Sequence, residues 1–337
     1  YDGVGYTGTL EAIAFVRTSE PHSRWLGQKF HEGEEEENFN LVVARKNYLD
    51  VVSFPKFELL YTLQQDSDTI NALAVFPDGH RVVTGAEDSF VRVWCLKTRT
   101  QLCCWKAGKY GVTAVDVSPD GTKIAAGSSA GDASVWSLDT RKEIYNSNDG
   151  RTVRWNIADV KFLPGGKSLL ASQGYMNCWS FEEGGKSFHV EGGAKITIHG
   201  DRVFSSLGTE NHKKCKILVR SLETQDEEFR LEGHTGQVNQ VIVTPDGSRL
   251  ISSSDDGTLK IWSLGTGQEE ATISGNGRGI HSIILSPDGS RIISCDGACI
   301  KLWSLETREE QACYMGAPEG FQDQSMRRSA AEVTLKG

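Results

Sequence analysis

At 337 residues, of which 38% are apolar, the chain is long enough to bury roughly three quarters of its unfolded surface, in one large domain or two ordinary ones. Its apolar runs are short and none nears the roughly 18 residues that cross a bilayer as a helix, so a membrane is not an expected partner. A net charge of −9 with scattered basic residues also removes the electrostatic attraction on which nucleic-acid affinity rests, which sets nucleic acid aside.

Taken in chain order, the elements fall into repeats of about 42 residues. The first repeat, near 5–63, opens with Gly5-Tyr6-Thr7-Gly8-Thr9-Leu10-Glu11 and contains the strand-like run Leu49 to Phe54. An insertion, Arg17 to Asn40, separates its first two strands where other repeats use a short turn; it holds Trp25, Phe30 and the acidic run Glu34 to Glu37. An insertion of that kind is either a disordered excursion or an acidic docking loop, and disorder is the simpler reading.

The second and third repeats, near 64–105 and 106–147, each carry Pro-Asp-Gly between two apolar runs, at 77 to 79 and 119 to 121, and a strand ending in Trp94 or Trp136. Pro-Asp-Gly in that setting is a hairpin turn. The fourth, near 150–190, varies the turn to Pro164-Gly165-Gly166 and ends a strand at Trp179. In the fifth, near 191–231, Ile217 to Leu222 aligns with Leu259 to Leu264, and Arg220 stands where the Trp belongs. The sixth and seventh, near 232–273 and 274–315, restore Pro-Asp-Gly at 245 to 247 and 287 to 289, with Trp262 and Trp303.

Within the sixth repeat the runs Val238 to Val243, Arg249 to Ser253, Thr258 to Trp262 and Glu269 to Ile273 are short and mostly β-branched or apolar, which predicts four strands per repeat. Such a unit cannot cover both of its faces alone, and seven arranged radially can. The prediction is therefore an all-β, seven-bladed β-propeller of four-stranded antiparallel blades over residues 1–315, followed by a flexible tail, 316–337.

With its regular repeats, turns and closing Trp residues the chain resembles the WD-repeat (β-transducin-like) family, over about residues 5 to 315, and its repeats look like those of fungal WD-repeat proteins. The resemblance implies a structural tetrad at His234, Ser252, Asp256 and Trp262: Asp256 orders a turn, His234 bridges strands, and Trp262 carries the network on its ring nitrogen. The second repeat keeps Thr84, Asp88 and Trp94, with Asp66 in the His position; the third has Ala126 and Ala130 beside Trp136; the seventh keeps Ser294, Asp296 and Trp303. Stability should accordingly be uneven, with the third to fifth blades loosest. A hydroxyl, an imidazole and a carboxylate also suggest a hydrolase, but a nucleophile needs an open cavity and oxyanion donors, whereas a mutually satisfied buried set stiffens a blade.

The resemblance further implies that partners bind the top face of the ring, near the start of each innermost strand and just before the tetrad acid. Carried over repeat by repeat, those positions are Thr9 and Glu11, Thr69, Asn71 and Glu87, Thr113, Asn156, Gln237, Asn239 and Asp255, and His281, with Arg278 and Tyr175 nearby. The set is polar, slightly acidic and poor in the aromatic anchors of interface hot spots, so a solvated rim is the competing reading, and a basic peptide is the partner it suits.

The expected function is a non-catalytic protein-interaction scaffold or adaptor, with no enzyme activity, cofactor or metal. The alternatives are a ligand-sensing propeller attached to a signalling ATPase, as in fungal WD-repeat proteins, and a propeller hydrolase, for which only Glu11 and His281 offer channel ligands. Gly166-Lys167-Ser168 resembles the end of a phosphate loop but lies in a hairpin-turn register. Cys295 and Cys299, with His281, lack the second Cys pair of a zinc site, so core packing is the expected role. Eight cysteines in strand-like segments do not form a disulfide framework. With no signal peptide, cytoplasmic residence fits, and a nuclear location conflicts with nothing. The chain begins at Tyr1 without Met, so a domain upstream in the same polypeptide is a further expectation. Arg327-Arg328-Ser329 is a chance-level kinase motif.

Overall fold

The computed structural model of the chain describes residues 10–17, 39–64, 68–147, 156–172, 175–181, 188–191, 195–207, 215–275, 277–296, 299–315 and 333–335. Every regular element among them is a β-strand, the outcome expected of short β-branched runs bounded by Gly, Pro and Asp.

Blade 1 consists of β1 (Leu10–Arg17), β2 (Phe39–Arg45), β3 (Tyr48–Ser53) and β4 (Leu59–Gln64). Blade 2 follows with β5 (Ile70–Val75), β6 (Arg81–Ala86), β7 (Phe90–Cys95) and β8 (Thr100–Lys106), and blade 3 with β9 (Val112–Val117), β10 (Lys123–Ser128), β11 (Ala133–Ser137) and β12 (Glu143–Asn146). Blade 4 holds β13 (Asp159–Phe162), β14 (Ser168–Ser172), β15 (Tyr175–Ser180) and β16 (Phe188–Glu191); blade 5 holds β17 (Ile196–His199), β18 (Arg202–Leu207), β19 (Cys215–Ser221) and β20 (Glu227–His234). Blade 6 is β21 (Val238–Val243), β22 (Arg249–Ser254), β23 (Thr258–Ser263) and β24 (Glu269–Ser274). Blade 7 is β25 (Ser282–Leu285), β26 (Arg291–Cys295), β27 (Cys299–Ser304) and β28 (Glu310–Met315), and β29 (Val333–Leu335) pairs outside β28. The strands of each sheet pair antiparallel in chain order, so each four-stranded blade is one continuous stretch of sequence, with β29 added outside blade 7.

The first strands touch one another in ring order from β1 through β5, β9, β13, β17 and β21 to β25, and β25 meets β1. Seven sheets packed this way form a seven-bladed propeller, as expected from the period. The core is not inside the blades but between them. Each of seven apolar clusters joins consecutive blades: Val82 and Trp94 with Val42 and Val51, for example, or Leu170 and Met176 with Ile196 and Val203. Removing those faces from water is the main driving force for the ring, at about 1.5–3 kcal/mol per fully buried large side chain.

The same packing closes the ring. Ile293, Cys295, Ile300 and Leu302 of blade 7 bury against Ile13, Leu41, Val43 and Val52 of blade 1, under Phe54 and Phe57. No strand of blade 1 is lent to blade 7 among the described residues. In the C-terminal tail, Val333–Leu335 pairs with Ala312–Tyr314 on the outer edge of blade 7. The Arg17 to Asn40 insertion also shortens at both ends, because β1 runs through Arg17 and β2 starts at Phe39; residues 18–38 lie outside the described residues.

The hairpin turns form as their composition requires. Gly79, Gly121, Gly247 and Gly289 sit at φ 68 to 73°, a left-handed conformation that an L side chain rarely adopts. Asp78 accepts the backbone N–H groups of His80 and Arg81 at 2.9 and 3.0 Å. The variant turn at Pro164 closes the same way, Gly166 N–H donating to Leu163 O at 2.9 Å, so Gly166-Lys167-Ser168 occupies a hairpin and not a strand-to-helix loop.

Two mid-strand glycines have a different reason. A Cβ on Gly85 would fall 2.3 Å from Val112 Cγ1, and one on Gly127 would fall 2.3 Å from Ile157 Cγ2. Both neighbours are β-branched and stiff at χ1. Gly127→Ala should therefore separate blades 3 and 4 and lower stability by about 1–3 kcal/mol, as overpacking does. Urea denaturation checks this; an unchanged midpoint would mean that the blades slide apart without cost.

Candidate functional site

Blade 6 carries the complete hydrogen-bonded set. Trp262 Nε1 donates to Ser252 Oγ at 2.9 Å, Ser252 Oγ lies 2.7 Å from His234 Nε2, and His234 Nδ1 lies 2.8 Å from Asp256 Oδ2. One proton assignment satisfies every atom: Ser252 donates to a neutral imidazole at Nε2, whose Nδ1–H donates to Asp256. Asp256 also accepts Thr235 N–H at 3.0 Å, Thr258 N–H at 2.9 Å and the Thr258 hydroxyl at 2.6 Å. Burial lowers the His234 pKa against the opposing pull of Asp256. Asp256 is itself held down at about 2: burial opposes this, but the hydrogen bonds from Thr258, His234 and Thr235 outweigh it.

This geometry resembles a hydrolytic triad in its order of contacts, yet Ser252 is 0% exposed. The hydroxyl is a link in the core between one donor, Trp262 Nε1–H, and one acceptor, His234 Nε2, out of reach of a substrate. The structure adds that His234 is the last residue of β20, paired with Cys215 of blade 5. The network is therefore a staple between blades 5 and 6, where a bridge within one repeat was expected.

Among the described residues of the other blades, parts of the set recur. Trp94 Nε1 donates to Thr84 Oγ1 at 3.0 Å, and Trp303 Nε1 to Ser294 Oγ at 2.8 Å. Asp88 accepts Phe90 N–H at 3.0 Å and binds the Arg92 guanidinium, a partner from within blade 2; Asp66 lies outside the described residues. Asp296 accepts Cys299 N–H at 2.9 Å and receives its thiol at 3.5 Å. Burial, with Asp296 nearby, pushes the Cys299 thiol pKa up. Cys295 and Cys299 are buried, and no group of three His, Cys, Asp or Glu side chains suited to a metal occurs among the described residues. Cys103 is half-buried and Cys104 exposed, as opposite faces of a strand demand.

The top face, where the chain crosses between blades and turns from second to third strand, brings together most of the positions predicted for partner binding. Its backbone is closely tied: Glu87 N–H donates to Thr69 O, Ser129 N–H to Gly111 O and Asp255 N–H to Gln237 O, each at 2.9 Å. Asn71 Nδ2 donates to Glu87 Oε2 at 2.8 Å and to Val112 O of blade 3 at 3.0 Å. Asn239 repeats the pattern, donating to Asp255 Oδ1 at 2.6 Å and to Ile280 O of blade 7 at 3.1 Å. Thr113 donates to Ile157 O of blade 4 at 2.5 Å.

Asn71, Asn239 and Thr113 are thus clamps between blades, a role the sequence did not reveal because their acceptors are main-chain oxygens of the next repeat. Glu87, Asn156, Asp255, Arg278 and His281 are exposed, while Thr69 and Gln237 are half-buried. The side chain of Glu11 and all of Thr9 lie outside the described residues. Gly111 and Gly279 leave the two carboxylates uncovered, since a Cβ there would come within 2.9 Å of Glu87 and 3.0 Å of Asp255.

Sequence reasoning also missed the inner strands lower in the ring. Lys161 Nζ of blade 4 lies 3.4 Å from Asp116 Oδ1 of blade 3, Phe162 N–H donates to Asp116 Oδ2 at 2.8 Å, and Ile196 N–H of blade 5 donates to Asp159 Oδ2 at 3.0 Å. Burial raises the Asp116 pKa despite Lys161. Gln240 of blade 6 accepts from Ser282 Oγ and Ile283 N–H of blade 7 at 3.0 and 2.9 Å. A polar residue inside an apolar innermost strand was the only available signal.

The WD domain, G-beta repeat family matches residues 57–95, 99–137, 225–263 and 267–304. No curated protein shows significant sequence similarity to the chain. Among solved structures, the computationally designed Ika8 protein superposes with a TM-score of 0.67 at 18% identity over 98% of both chains. A chain of a mitotic checkpoint complex superposes with a TM-score of 0.69 at 14% identity, over 88% of this chain and 92% of that one. At such identities the likeness is one of fold. Four matched repeats, three further blades on the same four-strand plan and the Trp-Ser-His-Asp network of blade 6 make this chain a seven-bladed member of the WD-repeat propeller family.

Proposed function

We propose that the chain is a non-catalytic scaffold that holds a partner protein on the top face of the propeller, through a basic segment of that partner. The observation that carries this reading is the repeated Asn-carboxylate arrangement. Glu87 and Asp255 are exposed, yet each is oriented by an Asn whose amide also grips the next blade. A carboxylate pre-oriented in this way loses little side-chain freedom on binding a Lys or Arg, which is how preorganisation raises affinity.

The test is an affinity capture from lysate with the intact chain and with Glu87→Lys/Asp255→Lys. Asn71→Ala and Asn239→Ala are unsuitable variants because they would also release blades from one another. Both proteins should unfold at similar temperatures, and a partner retained by the first should be lost by the second. The retained complex should weaken with added salt, since exposed charges are screened within about 10 Å at 0.1 M. Identical captures would remove the top-face carboxylates from the reading.

A further inference from the structure

The outer edge of blade 7 differs from the outer edges of the other blades: among the described residues it alone carries an extra strand. Val333–Leu335 pairs antiparallel with β28, in the register Ala312 to Leu335, Cys313 to Thr334 and Tyr314 to Val333. Residues 316–332, between the two strands, lie outside the described residues. The paired part of β28 begins just past a bulge opposite Leu302 and Trp303. From Ala312 to Met315 it contains no charge and no proline, the two features with which sheet edges commonly refuse a further strand.

From this we propose that the β28 edge is a docking site for an extended, uncharged and β-branched segment of a partner protein, and that the chain's own Val333–Leu335 occupies it in the absence of that partner. The site lies on the blade rim and is independent of the top-face reading. Affinity in such a site comes from main-chain hydrogen bonds, and selectivity from alternate side chains. The resident strand has only three register pairs. Its advantage is attachment: a segment tethered through a short connection acts at an effective concentration on the order of millimolar. A longer complementary strand from a partner therefore displaces it without any change in the blades.

The test uses the full chain and Thr334→Pro, which removes a backbone donor from the middle of the resident strand and leaves residues 10–315 untouched. The probe is a fluorescent peptide with the sequence of residues 330–337, with a second probe carrying Val333→Lys and Leu335→Glu. The first peptide should bind Thr334→Pro at least tenfold more tightly than the unaltered chain, and the second should bind neither. Hydrogen exchange at residues 312–314 should be faster in Thr334→Pro and slow again when the first peptide is added. Near-UV circular dichroism confirms that the ring is intact in both proteins. Equal binding of the peptide to both, no binding to either, or unchanged exchange at 312–314 would overturn the proposal. So would a dimer of the unaltered chain that Thr334→Pro dissolves, because the strand would then belong to a second copy.

Discussion

Trp262→Ala is expected to lower stability by about 3–5 kcal/mol, the usual cost of deleting a large buried aromatic side chain. The indole is 2% exposed and packs with Phe204, Ile217, Leu231, Val238 and Leu250, so its removal leaves a cavity between blades 5 and 6. It also leaves Ser252 without its donor, in a position wholly shielded from water. Trp262→Phe separates the two contributions: most of the volume stays, the N–H goes, and about 1 kcal/mol should be lost. Trp179 of blade 4, only half-buried, should give a clearly smaller loss on truncation to Ala. Equilibrium unfolding in urea reads all three variants. Similar losses at Trp179 and Trp262 would show that packing alone matters and that the network adds nothing.

The second large effect is on pH. His234 has its pKa lowered in the folded state, so the unfolded chain binds the proton more readily. That contribution to stability is complete above the unfolded value of about 6.5 and is lost as pH falls through it toward the folded value. Asp256 behaves in the same direction lower down: its folded pKa of about 2 lies below its ordinary 3.8, and its stabilisation is lost between those values. The difference is worth roughly 2 kcal/mol. Protonating His234 also turns Nε2 into a donor facing a Ser252 hydroxyl that then loses its acceptor, in a position shielded from bulk solvent. Blade 6, which carries the full Trp-Ser-His-Asp network at neutral pH, should therefore open early on acidification. His234→Gln should flatten the stability profile as pH falls below about 6.5, whereas Asp256→Asn should flatten it only below about pH 4. Thermal unfolding from about pH 2 to 8 measures both. A His234→Gln profile parallel to that of the unaltered chain would exclude the imidazole as the source.

Much of this architecture was legible in the residues themselves. Turns are local: Asp78, Asp120, Asp246 and Asp288 accept N–H or O–H groups within three residues, so Pro-Asp-Gly marks a hairpin wherever it occurs. Strand lengths follow from the runs between turns, and a period near 42 residues repeats one four-stranded unit. The Trp-Ser-His-Asp set was readable through the resemblance to the WD-repeat family, although its span across two blades was not.

Everything that depends on two blades meeting was decided by the tertiary structure. The roles of Asn71, Thr113 and Asn239 rest on carbonyls about one repeat away in sequence. Main-chain oxygens have no residue signature, so nothing in the pattern distinguishes a clamp from a free rim residue. The need for glycine at 85 and 127 arises from Val112 and Ile157, in the following blade. Ring closure through blade 7 and blade 1 depends on apolar faces hundreds of residues apart, and any apolar strand face could have met any other until the radial order was set. Hydrophobic burial is non-directional: it determined in the sequence that blades would pack, and the three-dimensional arrangement alone decided which groups would be left facing solvent for a partner.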